Sequence, residues 1–181
     1  MTIKETKLEG CYILQPNIFK DKRGYFIESF NQKTFNSLLG LDVNFVQDNE
    51  SKSSKGVLRG LHYQLGEHAQ AKLVRVVKGA VLDVAVDVRE GSKTFGQHVA
   101  VELTEENKTQ LFVPRGFAHG FIVLEDETIF SYKCDNYYHK ASEAGLIYND
   151  EDLNIDWKLP STDFILSDKD IILPKLKDAK I

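Results

Sequence analysis

The chain has 181 residues, of which 42% are hydrophobic and 28% charged, as expected for a single soluble globular domain over residues 1–181. Lys and Arg number 23 against 27 Asp and Glu, a formal net charge of −4 without any basic block, which argues against a nucleic-acid-binding protein. No apolar stretch reaches the roughly 18 residues of a membrane span, and MTIKETKLEG lacks the apolar centre of a signal peptide, so we expect a cytoplasmic protein without membrane association. Cys11 and Cys134 form no C-x-x-C motif, which favours free, reduced thiols.

The first predicted element is a short helix in the N-terminal part of the chain. Phe35, Leu38 and Leu39 recur at helical spacing. Asn31 is a suitable N-cap before them, and Gly40 is a suitable stop after them. The sequence therefore predicts one helix between Asn31 and Leu39.

From about Val57 the chain becomes a series of short runs rich in Val, Ile and aromatic residues, separated by turn signals. In chain order the runs are GVLRGLHYQ, KLVRVV, AVLDVAVDV, HVAVEL, QLFVP, GFIVL and TIFSYKC. The gaps between them are too short for helices, which excludes βαβ units. The pattern predicts an all-β fold: an antiparallel sandwich, barrel or jelly roll.

The last stretch, from about Asp150, mixes charges and isolated apolar residues with Pro160 and Pro174. We expect it to wrap around the sheets with one or two short helices.

Two of the five histidines lie in predicted strands or at their ends. His62 is in the run GLHYQ, and His119 closes the pattern P-x-G-x-x-H, which resembles the second half of the cupin signature. A metal-binding cupin needs a second histidine and a glutamate nearby, but this chain has Gln64, Gln70 and Lys72 in that region. An ammonium repels a dication, so we expect a metal-free interior with histidines available for acid–base chemistry.

Period-two alternation assigns residues to one face of each strand. The grouped residues are Leu58, Gly60 and His62; Lys72, Val74 and Val76; Asp83, Ala85 and Asp87; Phe117, His119 and Phe121; and Phe130, Tyr132 and Cys134. If these faces point inward, they bring together His62, Lys72, Asp83, His119 and Tyr132. Charged side chains are rarely buried without a partner, so such a lining indicates a functional site. Arg59 falls on the opposite face, so either a bulge near Gly60 turns it inward or it acts at the rim.

Segments spread along nearly the whole chain resemble the dTDP-4-dehydrorhamnose 3,5-epimerase family. The segments are DKRGYFIE (21–28), QDN (47–49), GVLRGLHYQ, KLVRVVKGAVLDVAVDVR followed by S-x-T-F-G (92–96), VPRGFAHGF, SYKCDNYY and LSDKD (166–170). The resemblance implies a cupin-type antiparallel jelly-roll barrel. It also implies a homodimer whose N-terminal strands cross to the partner.

The resemblance implies an isomerase that needs no cofactor and acts on dTDP-4-dehydro-6-deoxy-D-glucose, inverting C3 and C5 to give the dTDP-4-dehydro-L-rhamnose of L-rhamnose biosynthesis. His62 would be the base, Tyr132 the acid and Lys72 the cation that stabilises the enolate. Asp170 would orient the imidazole, with Asp83 and His119 as nearby supports.

The same resemblance implies a set of substrate-binding residues. Arginines suit a diphosphate, so Arg59 and Arg23 are the candidates, with Lys169 as a further donor. Tyr138 matches the residue that stacks on thymine. The remaining matched positions are Glu28, Gln47, Asp48, Asn49, Lys72, His119 and Glu143. Arg23 and Glu28 would complete the partner's site.

Some of these residues also have a purely structural interpretation. Tyr132 is compatible with an ordinary core aromatic, Ser167 to Asp170 with a helix-capping box, and Lys72 with a solvated rim charge. Other functions remain open as well. They are a relative that epimerises one carbon only or moves the ketone, a metal-dependent cupin oxygenase or isomerase, and a binding module without catalysis.

Overall fold

The computed structural model describes residues 1–181 and is mostly β-structure, with one α-helix. The strands, in chain order, are β1 (Thr2–Glu5), β2 (Tyr12–Gln15), β3 (Ile18–Asp21), β4 (Gly24–Ile27), β5 (Gln47–Ser53), β6 (Leu58–Gln64), β7 (Lys72–Lys78), β8 (Ala80–Asp87), β9 (His98–Thr104), β10 (Gln110–Val113), β11 (Phe117–Val123), β12 (Thr128–Cys134) and β13 (Glu143–Gly145). The helix α1 is Gln32–Leu39. None of the helices is long and apolar enough to cross a membrane.

The strands form two large antiparallel sheets and one separate hairpin. The first sheet has the order β1-β2-β10-β7-β12-β5, and the second has the order β13-β6-β11-β8-β9. All of their named strand pairs are antiparallel. The strands β3 and β4 pair only with each other, so this hairpin belongs to neither sheet.

The main hydrophobic core lies between the two sheets. Val74, Leu111 and Phe130 from the first sheet pack in one cluster with Val81 and Phe121 from the second. Fully burying one such side chain contributes about 1.5–3 kcal/mol, so this layer holds the sheets face to face. The inward positions predicted for β7, β11 and β12 contribute to this cluster, which confirms the alternation there.

The outer face of the first sheet is covered by α1. Phe35 is fully buried against Leu14, Leu73 and Phe112. The predicted helix is confirmed together with both of its ends. The Asn31 side chain accepts a hydrogen bond from the Thr34 amide, and Gly40 ends the helix in the left-handed conformation with φ of 64°.

The outer face of the second sheet is covered by the C-terminal stretch, as expected. Leu146, Leu153 and Trp157 pack there against residues of β6, β8 and β11. The expected short helices are present as single-turn 3₁₀ helices, but there are three of them, Ser161–Asp163, Asp170–Ile172 and Leu176–Asp178, where one or two were expected. The backbone of this stretch also bonds to the sheet region, with the Leu58 amide donating to the Ile165 carbonyl.

The seven predicted runs appear as β6 to β12, which confirms them. The strands β1 to β5 and β13 were not predicted. The sequence of β5 is QDNESKS, which has no apolar residue to mark a buried face. It is a strand because it pairs with β12 along its whole length.

A bulge in β6 decides which of its residues face the first sheet. His62 pairs with His119 and Arg59 with Phe121, so three steps along β6 match two along β11. Arg59 therefore faces the same side as His62, and of the two expectations for it the bulge is the one observed. The predicted inward position of Leu58 is wrong, because Leu58 packs in the outer cluster of the second sheet.

Candidate active site

A cleft opens between the two sheets and has two adjoining lobes. Lobe 1 has a volume of about 300 Å³ and lobe 2 of about 380 Å³. Both lobes are lined by four of the predicted site residues, namely Asn49, His62, Lys72 and Tyr132. These side chains come from β5, β6, β7 and β12, so both sheets contribute to the junction of the lobes.

His62 is held by a carboxylate from the C-terminal stretch. Its Nε2 lies 2.6 Å from Oδ1 of Asp170, which is 3% exposed, and the Ser167 hydroxyl donates to the other carboxylate oxygen at 2.8 Å. Burial raises the pKa of Asp170, but the hydrogen bonds from His62 and Ser167 outweigh it and hold this pKa below its ordinary value. An ionised carboxylate can only accept, so Nε2 carries a proton, and in the neutral form of the imidazole the free lone pair is on Nδ1.

The Asp170 amide also donates to the Ser167 hydroxyl at 3.3 Å. The predicted helix-capping box is not formed, because the 3₁₀ turn begins at Asp170 with Lys169 as its N-cap and without a side-chain cap. The two contacts with Ser167 instead fix the carboxylate that faces His62.

A second histidine–carboxylate pair lies deeper in the molecule. Nε2 of His119 is 3.0 and 3.1 Å from the two carboxylate oxygens of Asp83, whose exposure is 0%. His119 lines lobe 2, whereas Asp83 lies behind it. The geometry makes Asp83 a support for His119 and keeps it from direct contact with a ligand.

Lys72 supplies an ammonium at the junction of the lobes, and it forms no ion pair. Burial lowers the pKa of Lys72, while the nearby groups Cys134, Asp83 and Glu143 partly oppose that effect. A cation without a fixed partner is free to interact with a developing negative charge on a bound molecule.

Tyr132 stands on the wall of the cleft opposite His62, because β12 and β6 belong to different sheets. Burial, together with the nearby Cys134, raises the pKa of the Tyr132 phenol, although Arg59 partly lowers it. A raised pKa keeps the phenol protonated and available as a proton donor.

Charged and aromatic groups surround the opening of the cleft. Arg59 and Lys169 line lobe 2, while Tyr138 and Glu143 line lobe 1. Glu143 forms an ion pair with Lys169 and accepts a hydrogen bond from the Tyr138 hydroxyl at 3.1 Å. Burial raises the pKa of Glu143, but the contacts with Lys169 and Tyr138 outweigh it and lower this pKa overall.

Besides Asp83, three predicted site residues do not reach this cleft within one chain. Gln47 and Asn49 line lobe 1, but the intervening Asp48 lies on the opposite face of β5 and pairs with Lys133 at 2.8 Å. Asp48 therefore faces away from the cleft of its own chain, and its place among the substrate-binding groups stays a prediction. Arg23 and Glu28 belong to the separate hairpin and its end, where they contact Asp21 and Asn31.

Several lining residues were not predicted as site residues. They are Glu50, Ser51, Tyr63, Gln64, Gln70, Gly120, Phe121, Cys134 and Ser167. Alternation from Asn49 would have found Ser51, and alternation from His62 would have found Gln64. Ser167 carries no such signal, because a loop delivers it. No three His, Cys, Asp or Glu side chains converge in an arrangement that could hold a metal ion.

Comparisons with known proteins show the family to which the chain is related. A family model described as dTDP-4-dehydrorhamnose 3,5-epimerase matches residues 5–178. An Escherichia coli dTDP-4-dehydrorhamnose 3,5-epimerase is 56% identical over 170 residues, which cover 94% of this chain and 91% of that protein. The crystal structure of dTDP-4-dehydrorhamnose 3,5-epimerase from Elizabethkingia anophelis has 58% identity and a TM-score of 0.95, and the match covers 98% of this chain and 97% of that one.

A further solved structure carries a ligand. It is a dTDP-6-deoxy-D-glucose-3,5-epimerase from Legionella pneumophila in complex with dTDP-4-keto-L-rhamnose, with 50% identity and a TM-score of 0.94, covering 98% of this chain and 93% of that one. Identity at this level along the whole length, over the same fold, goes well beyond a shared architecture. This chain belongs to the dTDP-4-dehydrorhamnose 3,5-epimerase family.

Proposed function

We propose that this isomerase inverts C3 and C5 of dTDP-4-dehydro-6-deoxy-D-glucose in the cleft between its sheets, giving dTDP-4-dehydro-L-rhamnose. The observation that carries the mechanism is the position of His62 and Tyr132 on opposite walls, with the unpaired ammonium of Lys72 between the lobes. Inversion requires a base on one face of the sugar carbon and an acid on the other. The solved relative that holds dTDP-4-keto-L-rhamnose supports the same substrate class.

In the proposed reaction, Nδ1 of His62 removes the proton from the carbon next to the C4 ketone. The electron pair of the broken C–H bond moves into the C–C bond, and the carbonyl π electrons move onto the C4 oxygen. The Lys72 ammonium stabilises this enolate oxygen. The ketone re-forms as Tyr132 delivers its phenolic proton to the opposite face. His62 then loses its extra proton to water and Tyr132 regains one, which resets the site for the second carbon.

The expected contributions of these groups to the rate are consistent with their proposed roles. Each positioned acid or base contributes roughly 10²–10⁴ in rate, and a preorganised donor at an oxyanion contributes about 3–4 kcal/mol. Asp170 orients the His62 imidazole and stabilises its protonated form. Asp83 orients His119 in the same way, so His119 is presented to the sugar as a hydrogen-bonding group. The proposed steps involve no cofactor.

The nucleotide is bound by the groups around the opening. We assign the diphosphate to Arg59 and Lys169, and stacking on thymine to Tyr138. Gln47, Asn49 and Glu143 supply further polar contacts along lobe 1.

We also propose that the chain is a single cupin-type jelly-roll domain, that it works in the cytoplasm, and that it is a homodimer in which the N-terminal hairpin crosses to the partner. The hairpin β3–β4 is separate from both sheets, and Phe19 and Phe26 on it are 60% and 66% exposed, which is unusual for a monomer surface. In such a dimer Arg23 and Glu28 complete the partner's cleft.

The test is incubation of the chain with dTDP-4-dehydro-6-deoxy-D-glucose in D₂O. We expect deuterium at C3 and C5 together with inverted product. We expect His62→Ala and Lys72→Ala to abolish exchange at both carbons, and Tyr132→Phe to allow proton removal but to impair inversion. Deuterium at neither carbon would contradict the proposal, and deuterium at one carbon only would reduce it to single-carbon epimerisation. Binding of dTDP without exchange would instead indicate a binding module.

A further inference from the structure

Two glutamines in lobe 1 have no role in the reaction described above. Gln64 lies on the same face of β6 as His62, and Gln70 precedes Lys72 at the start of β7. Both line lobe 1. They also lie in the region where a metal-binding cupin needs its ligands, although this chain offers no metal cluster.

The orientation of the Gln64 amide is set by the main chain. Its Oε1 accepts a hydrogen bond from the His139 backbone amide at 3.0 Å. A backbone N–H can only donate, so the oxygen must face it and Nε2 must point the other way. Gln64 is 8% exposed, yet Nε2 has no protein partner and is not sealed from solvent. The Nε2 group is therefore a fixed hydrogen-bond donor facing the cleft.

Gln70 is fixed with the opposite polarity. Its Nε2 donates to the Asn136 carbonyl at 2.8 Å. A carbonyl can only accept, so the nitrogen must face it, and Oε1 is left as an acceptor without a protein partner. The segment from Asn136 to His139 thus orients both amides and prevents either one from flipping.

We propose that Gln64 Nε2 and Gln70 Oε1 form a substrate-recognition pair. The pair binds a ligand edge that presents a hydrogen-bond acceptor to Gln64 and a hydrogen-bond donor to Gln70. This inference rests on the proposed function, since two parts of that substrate have such an edge. They are the hydroxyls of the hexose and the imide edge of thymine, with its carbonyl oxygen and N3–H. A ligand that offered the wrong polarity would leave a largely buried amide unpaired, which costs affinity.

Two variants of Gln64 isolate the cleft-facing donor. Gln64→Glu keeps the oxygen that accepts from the His139 amide but replaces the donor with an acceptor and adds a charge. Gln64→Met adds no charge but loses the contact with His139. The two variants share only the loss of the donor facing the cleft. The quantities measured are ratios of dissociation constants within each variant, so that a general effect of charge or stability cancels.

Three nucleotides serve as probes: dTDP, dCDP and dTDP-glucose, which carries hexose hydroxyls but no ketone. If the pair recognises the base, both variants should lower the preference for dTDP over dCDP by about tenfold. If the pair recognises the sugar, both variants should lower the preference for dTDP-glucose over dTDP by a similar factor. Both ratios remaining within twofold of the unsubstituted chain would overturn the inference. Failure of the unsubstituted chain to exchange deuterium would instead count against the proposed function.

Discussion

At the scale of single residues, the contact between His62 and Asp170 decides which ring nitrogen is the base. Asp170 accepts from Nε2, so only Nδ1 has a lone pair to offer a ligand. Ser167 donates to the second oxygen of Asp170 and so fixes the carboxylate. The chemistry proposed for His62 therefore depends on two residues of the C-terminal stretch.

Asp170→Asn is expected to lower kcat by roughly 10³–10⁴ while leaving dTDP affinity unchanged, because the wrong tautomer of His62 is stabilised. The asparagine oxygen stays with the Ser167 hydroxyl, so its NH₂ group faces Nε2 and the proton moves to Nδ1. Single-turnover kinetics and dTDP titration measure the two effects. A kcat within tenfold of the unsubstituted value would argue against the tautomer model.

The protonation of Lys72 should set an upper pH limit to activity. Its ammonium must be protonated to stabilise the enolate, and burial lowers its pKa from the ordinary 10.5. The contribution of Lys72 to activity is thus full below this lowered pKa and is lost as the pH rises through it. Glu143 raises the Lys72 pKa, so Glu143→Gln should move the alkaline limb of the kcat profile to lower pH.

Glu50→Gln is the matched control, since Glu50 also lines the cleft but is not among the charges that shift the Lys72 pKa. Equal shifts of the limb in both variants would show that the limb does not report on Lys72.

At the scale of elements, the bulge in β6 brings Arg59 and His62 to one face of a strand that would otherwise separate them. The bulge requires a very close contact between the backbones of β6 and β11. Gly60 has a φ of 110°, and a Cβ atom built on it would lie 2.7 Å from the Gly120 Cα and 2.7 Å from the His119 carbonyl oxygen. Only glycine fits there, because both neighbours are main-chain atoms of the adjacent strand.

Gly60→Ala should therefore destabilise the fold by about 3 kcal/mol and weaken dTDP binding, because β6 and β11 must move apart. Gly91→Ala is the control, since Gly91 has a φ of 76° but open space around it. That change should cost only about 1 kcal/mol, from backbone conformation alone. Urea denaturation measures both. Equal losses would mean that steric contact at Gly60 is unimportant.

At the scale of the whole molecule, the cleft of one chain lacks the Arg23 and Glu28 that the family resemblance assigns to it. The hairpin that leads to them makes no sheet contact with its own chain, and the Arg23 side chain is 84% exposed. An exchange of hairpins would supply Arg23 to the partner's cleft and cover the exposed Phe19 and Phe26.

Mixing two inactive variants tests this exchange. Arg23→Ala and His62→Ala chains, unfolded together in equal amounts and refolded, should recover about a quarter of the unsubstituted activity. Random pairing makes about half of the dimers mixed, and one of the two clefts in a mixed dimer has both residues intact. No recovery above the sum of the separate variants would show that Arg23 acts within its own chain.

Hydrophobic patterning predicted the strands β6 to β12 and α1, because each of these elements buries apolar side chains, on both faces in β8 and β11. It could not predict β5, which is polar and is held by pairing with β12. It also placed Leu58 on the wrong face, because a single extra residue in β6 reverses the alternation beyond it.

The sequence alone determined that His62, Lys72, His119 and Tyr132 lie on strands and share a predicted face, since side-chain direction along a strand follows a local period. Only the tertiary structure decided that Arg59 joins them, that Asp48 faces away, and that Ser167 fixes Asp170 beside His62. These outcomes depend on contacts between segments far apart in the chain, namely the pairing of β6 with β11, the pairing of β5 with β12 and the hydrogen bond between His62 and Asp170. No local pattern of residues encodes such contacts.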